Sequence, residues 1–573
     1  MAKITLTIDG RKVEGELGDT ILEVCEKNGI HIPTLCHYKG LSNRGSCRMC
    51  VVEIEGARGL MPACTTPAED GMVIETNNER LYRFRRSNLE LILSERNHFC
   101  MFCEMSGDCE LQDLAYQHGI DYIRYSFAWP KLPVDTSRDY FIFDQNRCIL
   151  CRRCIRACEE LAGHAVLGVK DRGADTMVIA DLDTPFGESS CTSCGTCLQV
   201  CPTGALVDKK SAYIGKRKDL QETETFCTFC SIGCGIKVLS RDGHPVRIEG
   251  NWDAEPNGGV LCVAGRFEPL YISKERITSP MMKVGGAKDL SPLQEISWEE
   301  AFETIADRIA GSDRKLALIS ARATVEAASA FKGIFGSDTF ALTPPTIERG
   351  EGRLRDIDEA DYIFVTGVDL DEEFRVAGSF VKRSALKGAK LIAIGPIGKT
   401  VEERASERIE PEERARLEEL LNQASNAVIL YGPQSDPNLI ELFRRVRGRS
   451  RQISLVEGSN ARGLEAVGIP SGSAISTDGM VLVLLADEPP TEALGELLSS
   501  ASFSAVISSY YDPILQEADL ILPSPIWCER SGTYINTEGR ELKLTAAVEP
   551  PEGVMRDEEI AGNIRRRLSR WAR

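Results

Sequence analysis

Nineteen of the 21 cysteines lie in five tight groups within the first 262 of 573 residues. The groups are Cys36, Cys47, Cys50 and Cys64; Cys100, Cys103 and Cys109, with His98 just ahead; Cys148, Cys151, Cys154 and Cys158; Cys191, Cys194, Cys197 and Cys201; and Cys227, Cys230, Cys234 and Cys262. Each has the spacing of an iron–sulfur ligand set. Three cysteines at i, i+3 and i+6 followed by a fourth at i+10 match the bacterial ferredoxin run, which occurs twice. Zinc, the alternative, takes two separated ligand pairs. Disulfides suit small exported domains rather than a long chain that opens on a strand-like stretch, Met1 to Gly10. Five such centres exceed what one reaction needs and point to a wire that carries electrons singly.

The runs at 148–158 and 191–201 are an internal duplication, and the second ends Cys201-Pro202 as ferredoxin runs do. In two-cluster ferredoxins the fourth cysteine of each run serves the other cluster. One set is therefore expected to be Cys148, Cys151, Cys154 and Cys201, and the other Cys191, Cys194, Cys197 and Cys158. In NHFCMFCEMSGDCELQ (97–112) three thiolates stand with His98 as the obvious fourth ligand. The alternative is a surface histidine beside a three-cysteine cluster. An imidazole in place of a thiolate removes a negative charge and shifts that cluster's potential upward. Cys25, on the inner face of a capped helix, and Cys528 read as packed thiols.

The elements that must hold these residues follow. Residues 4–8 (ITLTI) and 12–17 alternate like two strands about the turn Asp9-Gly10, and Thr20 caps a short helix ending at Asn28-Gly29. Small residues from Ser42 to Ser46 let the backbone wrap an inorganic core. VLGVKDRGADTMVIADLDTPFGES (166–189) supplies strands and turns between the ferredoxin runs. IKVLS, DGHPVRIEGN and GGVLCVAGRF read as strands around the last set. From residue 276 onward short apolar strands alternate with helices: LALIS (316–320), YIFVTG (362–367), LIAIG (391–395), AVILYG (427–432), VLVLLA (481–486) and AVISS (505–509), separated by helical stretches such as 298–310 and 411–423. That alternation predicts parallel α/β units. No strand-linked G-x-G-x-x-G or P-loop is present, so Gly367 and Gly395 read as ordinary turn residues. The end, NIRRRLSRWAR, reads as a solvated basic helix, with Trp571 a candidate partner contact.

A chain of this length needs several domains. Its 42% apolar and 27% charged residues are ordinary for soluble protein, and its net charge of −18 argues against nucleic acid or anionic membranes as partners. No apolar run reaches the roughly 20 residues of a membrane span. The sequence therefore predicts a cytoplasmic protein without direct membrane insertion.

The order Cys36-x10-Cys47-x2-Cys50-x13-Cys64 resembles the β-grasp [2Fe–2S] domain of the complex I and hydrogenase families. The next module resembles the one-histidine, three-cysteine [4Fe–4S] module of the G-type subunit of NADH-quinone oxidoreductase (complex I) and of iron hydrogenases. There the histidine commonly stands four residues before the first cysteine, a place taken here by Arg96, which cannot be a ligand. The shorter spacing resembles the small diaphorase subunit of NAD-linked nickel–iron hydrogenases. Cys227-x2-Cys230-x3-Cys234-x27-Cys262 resembles the [4Fe–4S] domain of molybdopterin oxidoreductases, and ADLILPSPIWCERSGTYINTEGR (518–540) a late stretch of their catalytic domain. Pterin-using members read Cys-x-Lys-Gly, whereas this chain has Cys262-Val263-Ala264-Gly265. The chain also offers no cysteine between 263 and 527 as a metal ligand and stops before the family's C-terminal barrel.

The resemblance implies α+β modules followed by α/β. These are a β-grasp [2Fe–2S] domain (1–78), the one-histidine module (79–119), a two-cluster ferredoxin module (138–212), a molybdopterin-oxidoreductase-type [4Fe–4S] domain (220–276) and a truncated parallel α/β domain (277–573). It implies one [2Fe–2S] cluster, four [4Fe–4S] clusters and no pterin. Function follows as electron transfer, with no catalytic residue and no acid, base or nucleophile required. The implied partners are a flavin and NAD(P)-binding subunit, a small [2Fe–2S] subunit, and a nickel–iron hydrogenase, formate dehydrogenase or quinone-reducing arm. A molybdenum or tungsten formate dehydrogenase-type catalytic subunit is the alternative. An iron-only hydrogenase is excluded because only Cys528 follows Cys262.

Overall fold

Alternating residues around Asp9-Gly10 make the antiparallel hairpin Lys3–Ile8 and Arg11–Glu16. Helix Ile21–Lys27 starts at a capping box: the Thr20 hydroxyl accepts from the Glu23 amide (3.3 Å) and the Glu23 carboxylate from the Thr20 amide (2.7 Å). Its buried face, Ile21, Leu22, Val24 and Cys25, packs on the sheet with Ile4, Leu6, Ile8 and Ile74. Strand Lys3–Ile8 also pairs parallel with Val73–Glu75, which joins Val51–Ile54 and Met61–Pro62 to complete five strands. In the computed structural model, which describes residues 2–283, 292–472 and 478–571, these elements belong to the first of two units, Met1–Leu220 and Gln221–Arg573.

In the first unit, helix Glu79–Glu95, capped by Asn78, buries Leu81, Arg85 and Leu89. Strands Val134–Asp135, Phe141–Asp144 and Leu206–Asp208 form one small sheet. The segment between the ferredoxin runs forms the antiparallel hairpin Leu167–Lys170 and Met177–Ala180. Helix Arg153–Arg156 continues into a π-turn, Ala157–Leu161, that carries Cys158; its counterpart in the second copy is Thr196–Gln199.

The second unit opens on an antiparallel sheet, Gln221–Phe226, Gly235–Arg241 and His244–Gly250. The stretch GGVLCVAGRF, expected as strand, is not one: Val263–Arg266 is a helical turn that starts after Cys262. All six apolar runs expected in the α/β region are strands. Tyr362–Thr366, Lys390–Ile394 and Ala427–Tyr431 lie in a parallel five-stranded sheet with Glu407–Ile409 and Ser450–Ser454. Lys315–Ile319, Met480–Ala486 and Phe503–Ser508 lie in a seven-stranded sheet, parallel to one another and to Thr339–Ala341 and Leu520–Pro523. Strand Met281–Lys283 adds to it antiparallel.

The C-terminal basic tail is a correction. Helix Asp557–Trp571 is not merely solvated, because Ile560, Ala561 and Ile564 are fully buried against Phe302, Ile305 and Phe331. Arg567 lies over the Phe302 ring at 5.0 Å and pairs with Glu299. The side chain of Trp571 lies outside the described residues. Among the described residues no helix is long and apolar enough to cross a membrane.

Candidate metal centres

The first cysteine set sits in a loop clamped from outside. Buried Arg85 donates to the carbonyls of Met49 (3.1 Å), Val51 (2.8 Å) and Thr76 (2.9 Å), and Asn88 donates to that of Cys47 (2.6 Å). Arg156 donates to the carbonyls of Cys36 and Ser42, and Glu160 accepts from the Ser42 amide (2.7 Å) and hydroxyl (2.6 Å). The loop of the first set is therefore hydrogen-bonded to the helix that carries Cys154 and Cys158. Within the set, the Cys36 amide donates to Cys47 Sγ at 3.4 Å. Hydrogen bonding between thiols pulls Cys36 and Cys50 down and pushes Cys47 and Cys64 up.

His98, Cys100, Cys103 and Cys109 line one cavity of about 240 Å³. His98 Nε2 is buried there and has no hydrogen-bond partner among the described residues. Burial, with Arg147 and Arg96 nearby, lowers this ring to about 4, so it is a neutral donor at ordinary pH. Arg96, two residues ahead of His98, is buried and donates to the carbonyls of Gln145 (2.8 Å) and Thr176. The set abuts the end of the second ferredoxin run. The Glu110 amide donates to the Pro202 carbonyl (3.0 Å), and Arg153 pairs with Glu110 through two bonds of 2.6 and 2.9 Å. Gly204 approaches so closely that a Cβ there would stand 2.5 Å from Cys103 Sγ.

The two ferredoxin runs repeat one local geometry. Leu150 and Arg152 in the first copy have φ of 53° and 56°, and Ser193 and Gly195 at equivalent places have 56° and 70°. Three of these four pay the steric cost of left-handed backbone, which aims amides at sulfur. The Leu150 amide donates to Cys148 Sγ and the Ser193 amide to Cys191 Sγ, both at 3.4 Å. Cys158 lines a narrow cavity with Cys191, Cys194 and Cys197. Burial first, then the charges of Cys194 and Cys191, push its thiol up to about 12. Cys148, raised to about 11, and Cys151 are pushed up by burial and by Cys201. The fourth cysteine of the first run thus lies with the second run's first three, while Cys201 stands within electrostatic reach of Cys148, Cys151 and Cys154.

In the second unit, Cys227 follows strand Gln221–Phe226 and its amide donates to the Cys234 carbonyl (2.8 Å). Burial raises Cys227, Cys230, Cys234 and Cys262, and Cys230 and Cys262 act on Cys227 and Cys234. Spacing gave no sign of two basic groups here: Arg322 opposes the rise at Cys227 and Cys230, and Arg375 that at Cys262. Cys25 is packed in the core that also takes in Cys50 and Cys64, and Cys528 in the one that takes in Cys227 and Cys234; burial raises both thiols, Cys25 to about 12.

Among the described residues no three histidine, cysteine, aspartate or glutamate side chains converge tightly enough for a lone metal ion. The sets instead border spaces or pair with one another. Buried, raised thiols need compensating positive charge to ionise, and that charge fits iron within a sulfide core. The orphaned His98 nitrogen and the amides directed at sulfur fit the same group.

Comparison with known proteins follows the same segments. A 2Fe-2S iron-sulfur cluster binding domain matches residues 1–79, an NADH-ubiquinone oxidoreductase-G iron-sulfur binding region 85–124, and an NADH-quinone oxidoreductase subunit 3 ferredoxin-like domain 140–207. A molybdopterin oxidoreductase Fe4S4 domain matches 220–274 and the molybdopterin oxidoreductase family 276–442 and 411–567. The NADH-quinone oxidoreductase G-type subunit 2 of Rhizobium meliloti is 42% identical over 56% of this chain and 37% of its own length. The NADPH-Fe(3+) oxidoreductase subunit alpha of Geobacter sulfurreducens is 32% identical over 68% of this chain and 48% of its own. The chain thus spans less than half the length of these two relatives. The mitochondrial NADH-ubiquinone oxidoreductase 78 kDa subunit of Neurospora crassa is 27% identical over 98% of this chain and 80% of its own length. By these matches the chain belongs to the molybdopterin oxidoreductase family, and its iron–sulfur domains make it a homologue of the G-type subunit of complex I.

Proposed function

We propose that this chain is a wire subunit. Single electrons enter from a flavin subunit that exchanges hydride with NAD(P)H and leave to a second redox subunit, a nickel–iron hydrogenase, a formate dehydrogenase or a quinone-reducing arm. The ligands are the nineteen grouped cysteines and His98, in the five domains expected from sequence, holding one [2Fe–2S] and four [4Fe–4S] clusters. The observation that carries the reading is the contiguity of ligand sets in the first unit. The first set's loop is bonded to the ferredoxin helix through Arg156 and Glu160, and the His98 set to the segment after Cys201. Hydride moves two electrons and each cluster one, so the pair must be split by a flavin outside this chain. The chain's own residues bury the centres and tune their potentials. The likeness to an NADPH-linked subunit agrees with NAD(P)H as the source.

The match over 276–567 favours a second reading, a molybdenum or tungsten catalytic subunit. Two features weigh against an anionic dinucleotide at the sheet edge. A Cβ at Gly398 would stand 2.8 Å from an Asp369 oxygen and 2.9 Å from an Asp371 oxygen, so carboxylates fill that strand end. Asp371 already accepts from the Thr400 amide (2.7 Å) and from Lys382 (3.1 Å). Residues there fit their own chain better than a pyrophosphate. Elemental analysis of the anaerobically purified chain separates the readings. About 18 iron atoms per chain without molybdenum or tungsten is expected; stoichiometric molybdenum or tungsten would overturn the wire.

A further inference from the structure

A guanidinium far away in sequence stands beside the last cysteine set. Arg322 follows strand Lys315–Ile319, and its Cζ lies 4.6 Å from the ring centroid of Phe229, the residue next to Cys230. Its backbone is fixed. The Arg322 amide donates to the Ser320 hydroxyl (2.9 Å), while its carbonyl accepts from buried Arg530 (3.3 Å) and from the buried Tyr534 hydroxyl. Phe229 in turn leans on buried Trp527, with ring centroids 6.3 Å apart. Nη1 of Arg322 is buried and has no hydrogen-bond partner among the described residues.

The neighbouring charges are unequally neutralised. Arg375, the other cation near the set, is bonded to Glu372 (2.8 Å) and lies 3.9 Å from Glu268. Two carboxylates lie within electrostatic reach of Arg322, but each has another partner: Asp487 accepts from Arg530 (3.0 Å) and Glu488 from the Ser320 hydroxyl. Ala264, beside Cys262, brings no charge. A desolvated positive charge stabilises whichever state of a nearby centre is more negative.

We propose that Arg322 sets the redox potential of the cluster held by Cys227, Cys230, Cys234 and Cys262, holding it higher than the cysteines alone would. It is a positioning residue: the cluster gains one electron, and no bond forms or breaks. The proposal rests on the reading that these four cysteines ligate a cluster.

Redox titration of the full anaerobic chain with dithionite, followed by electron paramagnetic resonance, tests it. Cys262→Ser first identifies the signal. Arg322→Gln and Arg322→Met are expected to lower the midpoint of that signal and leave the others in place, with Arg322→Lys staying near wild type. Neutral variants that shift no more than the lysine variant overturn the proposal. Loss of the signal in both neutral variants overturns it too, by making Arg322 a requirement for assembly. If wild type shows no signal that Cys262→Ser removes, the ligand reading itself fails, an outcome distinct from an unshifted midpoint.

Discussion

At His98 two independent facts meet. Its Nε2 is buried and unpartnered among the described residues, and the cavity it borders is shared by three cysteines. An orphaned buried nitrogen costs about 1–3 kcal/mol, which ligation to iron would recover. The ring is held neutral by burial and two arginines, so its lone pair needs no deprotonation at physiological pH. His98→Ala is expected to lose one [4Fe–4S] signal and about four iron atoms. His98→Cys should keep the iron and lower that cluster's midpoint, since thiolate adds a negative charge. Full iron and an unchanged spectrum in the alanine variant would leave His98 as a neighbour of the cluster rather than a ligand.

Among the elements, the C-terminal helix shows what charge alone conceals. Arginines dominate NIRRRLSRWAR, but Ile560 and Ile564 recur at the spacing of one helix face and fill the core beside Phe331. Ile564→Ala should therefore cost about 2–5 kcal/mol, read as a lower melting temperature. Arg565→Ala, on the exposed face, should stay within about 0.5 kcal/mol of wild type. Equal effects would mean that the helix is not a core element. The α/β strands were legible because buried parallel strands are short apolar runs, as at YIFVTG and AVILYG. The Thr20 cap was legible because Glu23 completes its box. GGVLCVAGRF misled because apolar residues around a ligand loop are buried whatever their backbone does. Arg322, Arg156 and Gly204 could not be read at all. Each acts on a cysteine set remote in sequence, through contacts that exist only after the strands and helices pack.

At the scale of the whole molecule, the chain is two units with separate cores. Met1–Leu220 buries its own clusters of apolar residues, one around Ile4, Leu6, Ile8 and Ile74 and another around Leu35, Met49, Leu89 and Leu111. Gln221–Arg573 has others of its own, on both faces of its parallel sheets. A unit with its own core can fold alone, and the first also holds four of the five proposed ligand sets. Residues 1–220 expressed by themselves are therefore expected to fold and carry about 14 iron atoms, the content of one [2Fe–2S] and three [4Fe–4S] clusters. Residues 221–573 should carry about four. Iron analysis and visible absorption of the two pieces, each reconstituted anaerobically, decide it. A first piece that holds only the two ferredoxin clusters would show that the Cys36 loop and the His98 module need the second unit to close around their metal. If both pieces load fully, ligation is local to each unit, and any dependence between them must lie in how electrons pass rather than in how the clusters are held.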